Sequence, residues 1–188
     1  MKYQFILLFI LFSFSSFSQS TEFTFKMGSE FIIPWSTQDL AFVGNEKEGI
    51  VNILLDKKKL NIIRFDHQTL LQIKESTIEL KGLARNYNSE TLINSGGNYF
   101  WLHSEWDKVA EKEILYADKI DIVEGIITES NKKLLEASRI AGVYENTNSG
   151  LSLLKYNYKF DAAHKRLLVT YRLIPEIRNN KENYDKLG

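Results

Sequence analysis

The stretch Tyr99-Phe100-Trp101-Leu102-His103-Ser104-Glu105-Trp106 carries bulky side chains at both parities of a two-residue period. Successive side chains of an extended chain point to opposite faces, so Tyr99, Trp101, His103 and Glu105 fall on one side, with Phe100, Leu102 and Trp106 on the other. Bulk on both sides predicts a strand covered on both faces. The same alternation recurs downstream. Leu154, Tyr156, Tyr158 and Phe160 alternate with Lys155, Asn157 and Lys159, which predicts one half-buried strand over 154–160, and Leu167, Val169, Tyr171 and Leu173 describe another. Further β-type runs cover residues 23–25, 30–33, 50–55, 60–65, 73–80, 114–117 and 125–128. Gly44-Asn45, residues 56–59, Ser95-Gly96-Gly97-Asn98, Gly125 and residues 146–150 supply the turn signals between them. Residues 107–119 and 129–141 are rich in good helix formers but lack an i, i+3, i+4 apolar stripe, so strands or hairpins are expected there in preference to helices. The fold class is all-β, built from short antiparallel strands.

Composition narrows the function classes. The 188 residues contain no cysteine, which excludes disulfide scaffolds, structural zinc ribbons and thiol enzymes. With 24 Lys+Arg against 24 Asp+Glu, the chain has no net charge with which to attract nucleic acid or an anionic membrane. The N-terminus has its own pattern: Lys2, an apolar run over residues 5–12, and a small-residue stretch over 13–20 with Ser16 and Ser18. The run is too short to span a bilayer and no charged stop follows it, so residues 1–18 read as a signal peptide removed before Gln19. Its removal takes Lys2 and no acid, leaving 23 basic and 24 acidic residues. The expected location is the periplasm, the cell surface or the medium, with no transmembrane segment after cleavage.

Residues 19–188 are one domain's worth of chain. Ile50 and Tyr99 open comparable units about fifty residues apart: strand, polar turn, strand, an apolar-Asp pair, a bend and a further strand. A third unit begins at Tyr158 and stops after Gly188, where the earlier units lead into another strand. Blade-like repetition of this kind predicts a β-propeller, and fewer than four blades cannot close a ring, so the domain is expected to be truncated at its C-terminal end. The alternative is an open β-sandwich or barrel. Gly49-Ile50-Val51-Asn52, Ile63-Arg64-Phe65-Asp66, Tyr99-Phe100-Trp101-Leu102-His103-Ser104 with Trp106-Asp107, and Asn183-Tyr184-Asp185-Lys186 together resemble the N-terminal part of an uncharacterised family of exported propeller-like proteins of flavobacterial, Bacteroidetes type. That resemblance implies export and a propeller-like fold, and it implies no activity.

Few residues suggest chemistry. His103, Glu105 and Asp107 share one face at i, i+2, i+4, a spacing able to converge metal ligands, or a base (His103) and a carboxylate (Glu105) for catalysis. Against this, metal sites draw ligands from several strands, and Tyr99 and Trp101 share the same face, which suits a packed aromatic patch. His67 and His164 lie in turn-like contexts and read as surface histidines. Gly-x-Ser-x-Gly, His-Glu-x-x-His and phosphate-cradling glycine loops are all missing from the sequence. Asp66, Asp121 and Asp161 each follow an apolar residue and are expected to cap turns rather than bind calcium. Lysine runs such as residues 57–59 read as solvated turns.

The aromatic residues are the remaining hint. Tyr99, Trp101 and Trp106, with Trp35, Tyr156 and Tyr158 elsewhere, either form a platform for sugar rings or peptide side chains or fill the space between sheets. The expected function is an exported non-enzymatic scaffold or binding module engaging a protein, peptide or glycan, without a cofactor. The alternative is an exported hydrolase to which His103 and Glu105 contribute and which further blades complete.

Overall fold

The computed structural model describes residues 27–28, 30–33, 35–45, 49–147, 150–174 and 185–187. The signal peptide and the run at 23–25 lie outside the described residues. Those described are all-β, with antiparallel pairing throughout and no helix among them. Since none of them is helical, none forms a helix long and apolar enough to cross a membrane.

Three four-stranded sheets organise the chain. Sheet 1 is a meander of β1 (Thr37–Asn45), β2 (Gly49–Asp56), β3 (Lys59–Phe65) and β4 (Gln72–Glu79). Sheet 2 repeats that order with β5 (Asn88–Ser95), β6 (Asn98–Asp107), β7 (Lys112–Asp121) and β8 (Ile126–Ala137). Sheet 3 joins β12 (Tyr156–Phe160), β13 (Leu167–Leu173) and β14 (Asp185–Leu187), and the short β9 (Ile140–Ala141) pairs with the end of β13. A separate hairpin is made by β10 (Val143–Thr147) and β11 (Gly150–Leu154). Among the described residues the sheets close into neither a barrel nor a ring.

The sheets stack face to face, with β1 beside β5 and β4 beside β8. Sheet 1 presents Val51, Ile53, Leu55, Leu60 and Ile62 to Tyr99, Trp101 and Ile120 of sheet 2. The opposite face of sheet 2, with Leu102, Leu115 and Ala117, packs on Tyr156 and Val169 of sheet 3. The strand that decided the fold is therefore covered on both sides, as its two-sided bulk predicts. Each fully buried Leu or Ile contributes roughly 1.5–3 kcal/mol by leaving water, so these two interfaces dominate the fold. A smaller cluster of Leu54, Ile63 and Phe65 lies on the far face of sheet 1, where the Phe31 ring sits 5.3 Å from that of Phe65. The outer strands β4 and β8 are largely exposed and rich in Lys and Glu, a composition that discourages pairing at a sheet edge.

Turn chemistry follows the sequence closely. Gly96 and Gly97 both have positive φ, 59° and 81°, as a two-residue hairpin turn demands, and Asn94 Oδ1 accepts the Gly97 N–H at 3.0 Å. Asp66 accepts the Gln68 and Thr69 backbone N–H groups, Asp121 those of Val123 and Glu124, and Asp161 those of Lys165 and Arg166. The bonds from Thr69 hold the exposed Asp66 carboxyl below the usual value.

Three expectations need correction. Residues 30–33 form no strand, although Phe31 still packs on sheet 1. The stretch 154–160 is not one strand: it breaks at Lys155, where the chain leaves the β10–β11 hairpin and enters sheet 3. Finally, β1 and β5 precede the runs that the alternation identified. β5 reads Asn-Ser-Glu-Thr-Leu-Ile-Asn-Ser, too polar to announce itself, and both strands carry a bulge that interrupts the period, at Leu40 and at Glu90.

Candidate functional site

His103, Glu105 and Asp107 share the strand β6 but do not converge. The Asp107 carboxylate accepts the backbone N–H groups of Val109 (2.8 Å) and Ala110 (3.1 Å), which close the β6–β7 turn, and those bonds hold its pKa low. Glu105 accepts the Ala84 N–H at 3.2 Å. Among the described residues no three His, Asp or Glu side chains come together as a metal site.

His103 itself is 1% exposed and lies in a column of rings. Trp101 stacks at 4.6 Å between centroids, Tyr116 at 5.5 Å on the other side, and Tyr87 meets it edge-on at 6.4 Å. The imidazole Nε2 is 3.5 Å from Asp118 Oδ1, and neither ring nitrogen makes a hydrogen bond. Asp118 is a residue that alternation alone did not mark. Its buried carboxylate accepts the Asn131 backbone N–H at 2.5 Å, and Asn131 takes the left-handed conformation at φ 54° within β8.

The platform reading does not hold for Tyr99 and Trp101. Both are buried between sheets 1 and 2, Trp101 completely, with its indole N–H donated to Ser89 Oγ at 3.0 Å. Trp106 is on the opposite face of β6, half-buried, with the Arg139 guanidinium 6.0 Å from its ring centroid. Tyr156 and Tyr158 belong to the interface of sheets 2 and 3, and Trp35 is exposed. These six aromatics form no common surface. His67 and His164 occupy exposed turns.

The chemistry that the structure does bring together lies between sheets 2 and 3. Glu90 is the extra residue of the β5 bulge, between the partners of His103 and Leu102, and the bulge aims it at Ser104, which donates its hydroxyl to Glu90 Oε1 at 2.5 Å. The nearby Glu113 carboxylate, buried on β7, accepts from Lys155 Nζ at 2.5 Å. The break in the chain at Lys155 is what turns this lysine inward. The Tyr156 and Tyr158 hydroxyls, buried without hydrogen-bond partners, complete the cluster. Burial pushes the Glu90 carboxyl up to about 7, aided by the Glu113 carboxylate and opposed by Ser104 and Lys155. Both tyrosines are pushed far above their ordinary value, by burial first and by these carboxylates second.

The Glu90 shift has a definite sign. Its folded pKa exceeds the ordinary 4.5, so the folded state holds the proton more tightly than the unfolded chain. The stabilisation is complete below about 4.5 and is lost as pH rises to about 7. Glu90→Gln, which mimics the protonated form, is expected to gain stability relative to wild type between pH 5 and pH 8. Urea midpoints of the two proteins across that range check this, and a difference independent of pH contradicts it.

Chemically, this cluster is a charge-compensated wedge rather than an open site: Ser104 pairs with Glu90 and Lys155 with Glu113 inside the interface, and the two tyrosine hydroxyls stay unpaired. The open grooves lie at the sheet ends, one of them where the β2–β3 turn meets the approach to β5. Comparison with protein-family models, with curated proteins and with solved structures finds no match.

Proposed function

We propose that this chain is an exported, non-catalytic scaffold or binding module of propeller type, whose sheets act as blades and whose partner is a protein, a peptide or a glycan. The equivalence of sheets 1 and 2 carries the reading. In each, the first strand bulges at the same point of the ladder, opposite Ile53 and Leu54 in sheet 1 and opposite Leu102 and His103 in sheet 2. In each, the second strand turns one parity toward the following sheet: Val51 and Ile53, then Phe100 and Leu102. A meander repeated after about fifty residues and stacked face to face is how blades are built.

The location of the reactive groups supports a non-catalytic role. Ser104, Glu90, Glu113 and Lys155 are engaged with one another between sheets. An exported hydrolase using His103 and Glu105 has less support, because the imidazole is sealed in a ring stack and the Glu105 carboxylate holds the Ala84 N–H. Export rests on the charge and hydropathy pattern of residues 1–18.

The test is to recover the chain after export, determine its N-terminal residue, and assay it against ester, glycoside and peptide substrates. Gln19 as first residue and no turnover above buffer are expected. Sustained turnover that disappears on thermal unfolding overturns the non-catalytic reading, and an intact N-terminus overturns export by a cleaved signal.

A further inference from the structure

We infer that the groove between the β2–β3 turn and the approach to β5 binds an acidic oligosaccharide, with Lys57 and Arg85 engaging its carboxylate or sulfate groups. The inference rests on the binding-module reading and assigns that module a ligand class.

The groove holds about 370 Å³ and is lined by Lys57, Lys58 and Arg85 with Gln38, Tyr87 and Ser89, over a floor at Leu55. No carboxylate lines it, in a chain whose basic and acidic residues balance. A second groove of about 470 Å³ adjoins it, shares Lys57 and Lys58, and adds Lys59 and Lys81. Two acids also line it, Glu79, 4.0 Å from Lys59, and Asp56, which accepts from the Ser36 hydroxyl at 2.8 Å, against four lysines. Among the described residues no carboxylate pairs with Lys57, Lys81 or Arg85, whereas Lys74, Lys119, Lys133 and Lys155 all have acidic partners.

The hydrogen-bonding character of the first groove favours an acceptor-rich ligand. Ser89 Oγ receives the Trp101 N–H, which leaves the serine proton available to donate outward. The Tyr87 hydroxyl is committed to the Lys57 carbonyl, and Lys58 Nζ to the Leu83 carbonyl at 2.6 Å, so the turn is pinned over the groove with the Lys57 side chain left to act. Donors from Lys57, Arg85, Ser89 and the Gln38 amide face no anionic acceptor, only the neutral oxygens of Gln38, Tyr87 and Ser89. Ring-borne oxyanions supply the anionic acceptors, and the half-buried Tyr87 ring offers apolar surface to a sugar. An acidic peptide matches the charge but ties each carboxylate to a flexible side chain that must be ordered on binding, whereas a sugar ring holds its oxyanion rigidly.

The experiment is calorimetric titration of the exported chain with trigalacturonate, a sulfated heparin disaccharide, maltotriose, a pentaglutamate peptide, and inorganic phosphate and sulfate. One or both acidic sugars are expected to bind at least ~10-fold more tightly than maltotriose, the peptide or the free anions. The carboxylate and sulfate arms identify which oxyanion is read, and affinity is expected to fall with salt. Arg85→Gln, at an exposed position, is expected to weaken sugar binding ~10-fold. Lys57 has φ 53°, so Lys57→Gly relieves backbone strain while deleting the charge: its thermal midpoint should hold or rise as its affinity falls. Equal binding of maltotriose, tighter binding of pentaglutamate, or acidic-sugar binding unchanged in both variants overturns the inference. Binding of another partner unaffected by Arg85→Gln overturns the groove assignment and leaves the binding-module reading standing. Turnover in the substrate assays removes the module reading, while acidic-sugar binding is measured independently of it.

Discussion

Trp101→Ala is expected to lower the unfolding free energy by about 3–5 kcal/mol, the range for emptying a large aromatic from a packed core. The indole is completely buried, and its removal opens a cavity where both sheets 1 and 2 lose contacts. It also takes one wall from the His103 stack and leaves Ser89 without its donor. Because domains of this size are stable by only about 5–15 kcal/mol, most of the folded population is at risk. Trp101→Phe keeps the stacked ring and deletes the N–H, so it should cost less, about 1–2 kcal/mol. Urea unfolding followed by far-ultraviolet circular dichroism separates the two. An alanine variant within about 1 kcal/mol of wild type contradicts the buried, two-sheet role of this residue.

The second large effect concerns charge. Lys155→Met preserves much of the side chain's bulk but leaves Glu113 without its cation, beside Glu90, in an interface where both are shielded from water. Breaking one partner of a buried pair costs about 3–5 kcal/mol, because the remaining charge keeps its desolvation penalty. The double variant Lys155→Met/Glu113→Gln removes that orphaned charge, and most of the loss should return. A double-mutant cycle at neutral pH is the measurement. Additive losses would show that Lys155 and Glu113 do not depend on one another, contrary to their 2.5 Å contact.

Much of the architecture was legible in the sequence where burial and period coincide. β2, β3, β6 and β13 carry large apolar residues that alternate or cover both faces, and they pair as the period predicts. The aspartate-capped turns were equally legible, because Asx chemistry is local. β1 and β5 were not, since a bulge resets the alternation and β5 contains few apolar side chains. The buried cluster was hidden for a related reason. Glu90 stands in a polar run with nothing to mark it as inward-facing, and Lys155 occupies the outward parity of an apparent strand that the fold interrupts. His103, by contrast, was visible at once as unusual. Its sealed position among aromatic rings was the packed-patch alternative already implied by Tyr99 and Trp101 on the same face.

The two-sided covering of β6 raises a problem of alignment. In a strand with one wet face, a one-residue slip exposes the apolar set to water, and solvation alone enforces the correct pairing. Slipping β6 by one residue would exchange Tyr99, Trp101 and His103 for Phe100, Leu102 and Ser104, and both sets are bulky and largely apolar. Hydrophobicity therefore discriminates poorly between the correct ladder and its nearest error. The discriminating information resides in the few polar groups enclosed with the strand: the Trp101 indole reaches Ser89 and the Ser104 hydroxyl reaches Glu90. Each of these meetings is lost on a slip, at the cost of a stranded buried polar group. The polar residues of this core thus serve as an address code for strand pairing, and variants such as Ser104→Ala would show their effect as heterogeneous pairing as well as lost stability.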